Sequence, residues 1–280
     1  MRLRASGALV AWLAGAAAVL PGTAAAQSFV AQPQRYMLTT DAYDARSVWL
    51  QPAGLSRLRE ASFAGFATAD ASGGLSQYGL MLSSGGLGLG WQHDRKVGSG
   101  TDVFTAGFGV GGPLVGLGAD HRWYKGSGAH DGSWDLGARL SPFPMLDLSV
   151  VWRDMGSPIS YVDTLSIPHT INSTLVPGAA LNLFGRARVG AEWEIVTDNW
   201  GTSAVRLGAS TRLVGAFALA VRGDFSSKFD GRAVALALTW NAPTARATGF
   251  ATNVRGGTNQ FGGYVASVRD LTQTRRGPFR

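Results

Sequence analysis

The residues in this chain that could do chemistry are few and poorly placed for catalysis. There are four histidines, His93, His121, His130 and His169, and no cysteine. His121 stands beside Asp120, but neighbours on an extended strand point to opposite faces, so the two cannot act directly as an acid–base pair. No G-x-S-x-G elbow occurs, and nothing has the spacing of a metal-binding cluster. Gly85 to Gly90 reads G-G-L-G-L-G, which lacks the following helix and the lysine of a phosphate-binding loop and is read as a glycine-rich strand. The expectation is a protein that is not an enzyme and uses neither cofactor nor metal.

The polar chemistry that remains lies in regularly spaced charges. Arg188, Glu192, Glu194, Arg206, Arg212, Arg222 and Asp224 fall on neighbouring segments. Over 187–195, Ala187, Val189, Ala191, Trp193 and Ile195 share one parity, and Arg188, Glu192 and Glu194 share the other. The same pattern sets Trp134, Leu136, Ala138 and Leu140 against Asp135 and Arg139, and Leu146, Leu148, Val150 and Trp152 against Asp147 and Arg153. Successive side chains on a strand face opposite sides. A charge on a lipid-facing side costs ~2–4 kcal/mol at the bilayer midplane, so lipid would enforce such a segregation. The seven charges are therefore expected to face a lumen. There they either form a network that holds the amino-terminal segment or simply line a polar interior.

The elements that position these charges follow from about Ala61 onward. Segments of roughly ten residues, the length of a tilted membrane-spanning strand, are separated by glycine, proline, asparagine and serine. They cover 61–69, 74–83, 86–93, 102–110, 114–124, 133–141, 145–154, 173–183, 186–196, 203–213, 215–225, 232–240, 245–254 and 259–268. A soluble sandwich alternates too, but the connections discriminate. Short ones (83–85, 111–113, 141–144, 184–185 and 214) alternate with longer polar ones such as 94–101, 125–132 and 155–172. That is the asymmetry between periplasmic turns and extracellular loops. Trp91, Trp123, Trp134 and Trp152 fall near the long-loop ends and Trp240 near a short-turn end, as aromatic girdles would. The predicted fold is all-β: a transmembrane, antiparallel, up-and-down β-barrel of about fourteen strands over 61–269.

Composition agrees. Apolar residues make up 45% and charged residues only 15%, against roughly a quarter charged in soluble domains. The formal net charge of +7 includes Arg2 and Arg4, which leaves +5 without them; the other arginines are scattered, which argues against nucleic acid as a partner. Arg2 and Arg4, an apolar run from Ala8 to Leu20, Pro21-Gly22 and Ala24-Ala25-Ala26 make 1–26 a signal peptide. The run is too short for a spanning helix, which needs ~20 residues. Export to a bacterial outer membrane is expected, with its lipid as a partner. The basic tail 270–280, with Arg275, Arg276 and Arg280, is expected to be disordered.

Residues 27–60 do not read as a spanning strand. They contain Asp44, Ala45 and then Gln51-Pro52-Ala53-Gly54-Leu55 directly before the first strand. This stretch resembles the asparagine-proline-alanine-glycine-leucine signature of the outer-membrane superfamily that includes FadL-type transporters and PorV-type proteins, with Gln51 where the family usually has asparagine. The resemblance implies fourteen strands and a small amino-terminal plug tucked into the barrel. It also implies uptake of hydrophobic small molecules such as long-chain fatty acids. The alternative is a PorV-like scaffold for a periplasmic or secreted protein partner, without transport of its own. For uptake, the 155–172 loop supplies candidate ligand contacts in Ile159, Tyr161, Leu165 and Ile167; equally, that loop could pack over the barrel mouth.

Overall fold

In a computed structural model, the described residues are 35–57, 60–95, 100–126, 132–156, 159–162, 168–255 and 259–270. The first run of strands is β1 (Glu60–Asp70), β2 (Leu75–Ser84), β3 (Leu87–Asp94), β4 (Thr101–Gly111), β5 (Val115–Lys125), β6 (Gly132–Phe143) and β7 (Leu146–Met155). After a short hairpin of β8 (Ile159–Val162) and β9 (Pro168–Ile171) come β10 (Thr174–Leu183), β11 (Ala187–Val196), β12 (Gly201–Arg212), β13 (Phe217–Phe225), β14 (Gly231–Asn241), β15 (Ala245–Val254) and β16 (Gln260–Asp270). Apart from β8 and β9, the strands close into one antiparallel barrel of fourteen, in which each pairs with the next and β16 returns to β1. Every barrel strand starts and ends within about two residues of its predicted bounds. The stretch read as a single loop after β7 contains the β8–β9 hairpin.

Closure leaves no edge strand, so every strand finds both neighbours within the barrel. The two faces of each strand then divide as the alternation predicts. Phe63, Leu82, Leu89, Phe108, Trp134, Leu207, Leu238 and Val265 are exposed on the outside, whereas Asp135, Arg139, Arg153, Glu192, Arg206 and Asp224 are buried inside. Exposed leucine with buried arginine reverses the order of a water-soluble protein. The tight β2–β3 turn is made by Gly85 and Gly86, whose φ of +57° and +94° suit a two-residue hairpin that needs positive φ at both positions.

One residue breaks strict alternation for a visible reason. In the β6–β7 pair, Trp134 faces Met155 but Leu136 faces Trp152, so two residues of β7 oppose one of β6. This bulge places Asp154 at φ +53°, a left-handed conformation that aspartate tolerates better than most residues. It turns the buried Asp154 carboxylate into the lumen, where it accepts from Arg122 at 3.2 Å, Tyr124 at 3.1 Å and Ser133 at 3.2 Å.

Candidate functional site

The amino-terminal segment lies against the inner wall. Its described part makes a 3₁₀ turn at Thr39–Asp41, a single helical turn at Ser47–Leu50 and a 3₁₀ stretch at Pro52–Arg57. Val48, Trp49, Ala53 and Leu55 are completely or almost completely buried. Glycines on the inward face of the wall make room for it. A Cβ added at Gly118 would come within 2.5 Å of the Ala53 nitrogen, one at Gly90 within 2.5 Å of the Trp49 ring, and one at Gly190 within 2.8 Å of Leu38. The glycine-rich strand is thereby explained. Leu87 and Leu89 point outward, while Gly88 and Gly90 lie beneath Val48, Leu55 and Trp49.

Polar contacts fix the segment. One turn of helix leaves its last carbonyls without intrahelical partners, and wall arginines supply donors instead. Arg122 donates to the Trp49 carbonyl at 3.2 Å and Arg153 to that of Leu50 at 3.0 Å. Further along, Arg139 donates to Thr40 at 3.0 Å, Arg188 to Thr40 at 2.8 Å and Arg222 to Met37 at 2.6 Å. In return the Thr39 N–H donates to Glu192 at 2.8 Å, and the Tyr43 hydroxyl donates to Asp147 at 2.9 Å. The Tyr43 ring also lies 3.8 Å from the Arg139 guanidinium, a cation–π contact.

The Gln51–Leu55 motif now has a physical meaning. Gln51 is fully buried; its amide donates to the wall carbonyls of Ala138 at 3.2 Å and Val150 at 3.3 Å, and its oxygen accepts from Ala53 N–H at 3.3 Å. Pro52 and Ala53 then pass over Gly118, Gly54 packs against Ala42 and Ser47, and Leu55 sits over Gly88 and Gly109.

Of the seven charges singled out from the sequence, six sit inside and pair there. Arg188 meets Asp41 at 2.6 Å and Asp147 at 2.7 Å. Arg206 bridges Glu192 at 3.1 Å and Glu194, and Arg222 holds Asp224 at 2.7 Å. Arg212 is exposed at the end of β12 and makes no ion pair among the described residues. Arg139, Asp147 and Arg153, sent to the same face by alternation, extend this network, with Arg139 3.4 Å from Asp147; Arg122, between Asp135 and Asp154, was not read from the sequence. The parity that placed Asp135, Arg139, Asp147 and Arg153 on the inner face was the signal for them. For Asp154 the bulge hid it. Asp41, Asp44 and Arg46 belong to a segment with no periodicity to read. Burial alone would raise the Asp44 carboxyl, but the Arg46 and Arg246 guanidiniums overcome this and hold it at about 2.

The lumen has two unlike sides. Charge is concentrated on β5–β7 and β10–β13, on the residues above. The inward positions of β14 are Ala233, Ala235, Ala237 and Thr239, and those of β15, β16 and β1 mix Phe250, Ala266, Ala64 and Phe66 with Arg246, Thr248, Thr252, Tyr264 and Thr68. Tyr36, Met37, Ala42 and Leu50 pack with Ala235, Ala237 and Phe250, and Ala220 lies against them. At the short-turn end a cavity of about 450 Å³ opens between Met37 and the wall at Ala218, Ala220 and Thr239, and it is ringed by charge from Asp41, Asp44, Arg46, Glu60, Arg188 and Arg246. The Asp44–Arg246 ion pair, 2.6 Å long, borders it.

The side chains of the loop candidates lie outside the described residues. Ile159 and Tyr161 lie on β8, opposite Ile171 and His169; Leu165 and Ile167 lie wholly outside the described residues. His121 faces outward between Trp123 and Trp134, with ring centroids 4.5 Å from each, away from Asp120 on the inner face. Among the described residues, no group of three or more His, Cys, Asp or Glu could hold a metal ion.

No family model matches the chain, and no curated protein does. Solved structures do. The CymD monoaromatic hydrocarbon channel aligns at 11% identity over 86% of this chain and 96% of its own, with a TM-score of 0.54. The Pseudomonas putida toluene transporter TodX aligns at 9% identity over 80% of this chain and 92% of its own, with a TM-score of 0.52. Likeness at such low identity is likeness of fold alone, here a closed antiparallel barrel of fourteen strands.

Proposed function

We propose that this protein is an outer-membrane channel for hydrophobic small molecules, long-chain fatty acids among them, with residues 27–60 as its plug and the 155–172 loop as the first point of ligand contact. The observation that carries this reading is the division of the lumen. A polar solute would gain little from the inward face of β14, with Ala233, Ala235 and Ala237, or from Phe250 beside it. An apolar solute gains about 25 cal/mol for each Å² it removes from water, and it can pass there without disturbing the arginine bonds on the opposite side. Two structures similar in fold, a monoaromatic hydrocarbon channel and a toluene transporter, support the same class of cargo.

The scaffold reading is favoured by a different observation: the density of arginine bonds on residues 37–50, which suits a permanently filled barrel. Uptake of an apolar fluorescent hydrocarbon by intact cells separates the two. Expression should raise accumulation. Ala237→Trp, which fills the apolar side, should abolish the gain, while Leu238→Trp on the outer face should preserve it. No gain from the wild-type chain, together with a protein partner that co-purifies with it, would establish the scaffold instead.

A further inference from the structure

The outer wall carries a depression that plays no part in passage through the lumen. It lies at the short-turn end of β1, β2, β3 and β16 and has a volume of about 480 Å³. Small residues line it, Ala61, Ser84, Gly88 and Ser267, between the large exposed side chains of Phe63, Leu82, Leu87 and Leu89. Register explains the alignment: Ala61 lies opposite Arg269 and Phe63 opposite Ser267, so the four share one outward patch across the β1–β16 seam. Arg269 is exposed at the strand end and makes no ion pair among the described residues.

On a lipid-facing wall such a depression is not left to water, which would lose its hydrogen-bonding partners there. An acyl chain fills it and covers the aliphatic side chains. A cation at the strand end sits at headgroup level, where its stem stays in the apolar layer and its charge meets the interface. A basic group beside an apolar groove favours an anionic headgroup over a zwitterionic one. We propose that this groove is a binding site for one anionic phospholipid of the periplasmic leaflet, with the acyl chain against Phe63, Leu82, Leu87 and Leu89 and the phosphate on Arg269. The inference rests on the barrel lying in a membrane, not on what it transports.

Native mass spectrometry of the full chain tests it, with detergent-solubilised protein equilibrated against equal amounts of phosphatidylglycerol and phosphatidylethanolamine. The expected result is one retained phosphatidylglycerol per barrel. Arg269→Ala should cut the preference for phosphatidylglycerol about fivefold, the effect of one basic residue near an anionic surface. Ser267→Trp, which fills the groove, should expel both lipids, and both variants should keep the fast-migrating unboiled band of a folded barrel. Equal retention of the two lipids by the wild-type chain, unchanged retention in Ser267→Trp, or a dimer that occupies the groove would each overturn the proposal.

Discussion

Replacing Gly118 with alanine should unseat the amino-terminal segment while leaving the barrel intact. The added Cβ would lie 2.5 Å from the Ala53 nitrogen, and also against the backbone of Pro52, where ordinary contacts are about 3.5–4.0 Å. The backbone of Pro52 and Ala53 must therefore retreat by about 1 Å. It cannot do so freely, because Gln51 ties it to the carbonyls of Ala138 and Val150. Overpacking of this kind costs about 1–3 kcal/mol. Gly249→Ala is the matched control, since a Cβ there meets nothing within 4 Å; loss of a strand glycine should then be neutral or slightly stabilising. The chain has no cysteine, so Ser47→Cys, at a buried hydroxyl without a hydrogen-bond partner, gives one reporter thiol. If labelling follows transient release of the segment, Gly118→Ala should speed it roughly 5- to 100-fold, and Gly249→Ala should leave it unchanged. Equal labelling in the two variants would refute the claim that inward glycines exist to seat this segment.

Two further outcomes use the same reporter. Arg139→Ala removes a charged donor to Thr40 at 3.0 Å and to Ala42 at 3.4 Å, together with the stacked contact on Tyr43. Hydrogen bonds from charged groups are worth about 1.5–3 kcal/mol, so labelling should rise at least tenfold; an unchanged rate would remove the arginines as anchors. Asp44 is depressed from 3.8 to about 2 in the folded protein. Its contribution to seating is thus complete above about pH 4 and is lost as pH falls towards 2. Labelling with dithiodipyridine, which reacts in acid, should be flat from neutral pH down to about 5 and then accelerate, with Asp44→Asn already fast at neutral pH; a step centred near neutrality would contradict the assignment.

Most of the barrel was legible because lipid imposes a rule that sequence records directly. Charge on the wrong parity is costly, so Arg188, Glu192 and Arg206 could be sent inward, and Val189, Trp193 and Leu207 outward, from alternation alone. The closing contact between β1 and β16 leaves no local trace, but an even set of strands without a free edge implies it. Asp154 was not legible, since a bulge is a defect in the very period being read. The interior of the lumen was legible only by type. Sequence showed that glycine was abundant, yet which glycines face Trp49, Ala53 or Leu38 depends on how strands far apart in the chain meet one short segment. The alanine-lined side had no signal either, because alanine does not declare a face. Nor did the loop residues Ile159, Tyr161, Leu165 and Ile167, whose apolar character fits more than one role.

The central claim is that cargo passes along the alanine side while the segment stays bonded to the arginine side. A removable cross-link on the arginine side tests it most directly. The Thr39 and Ser149 hydroxyl oxygens are 2.9 Å apart, so Thr39→Cys with Ser149→Cys should oxidise to a disulfide that pins the segment to β7. Hydrocarbon uptake by intact cells, measured oxidised and then reduced, should stay at the wild-type rate in both states. Uptake that stops on oxidation and returns on reduction would show that the segment must leave the arginine wall, and would contradict the account.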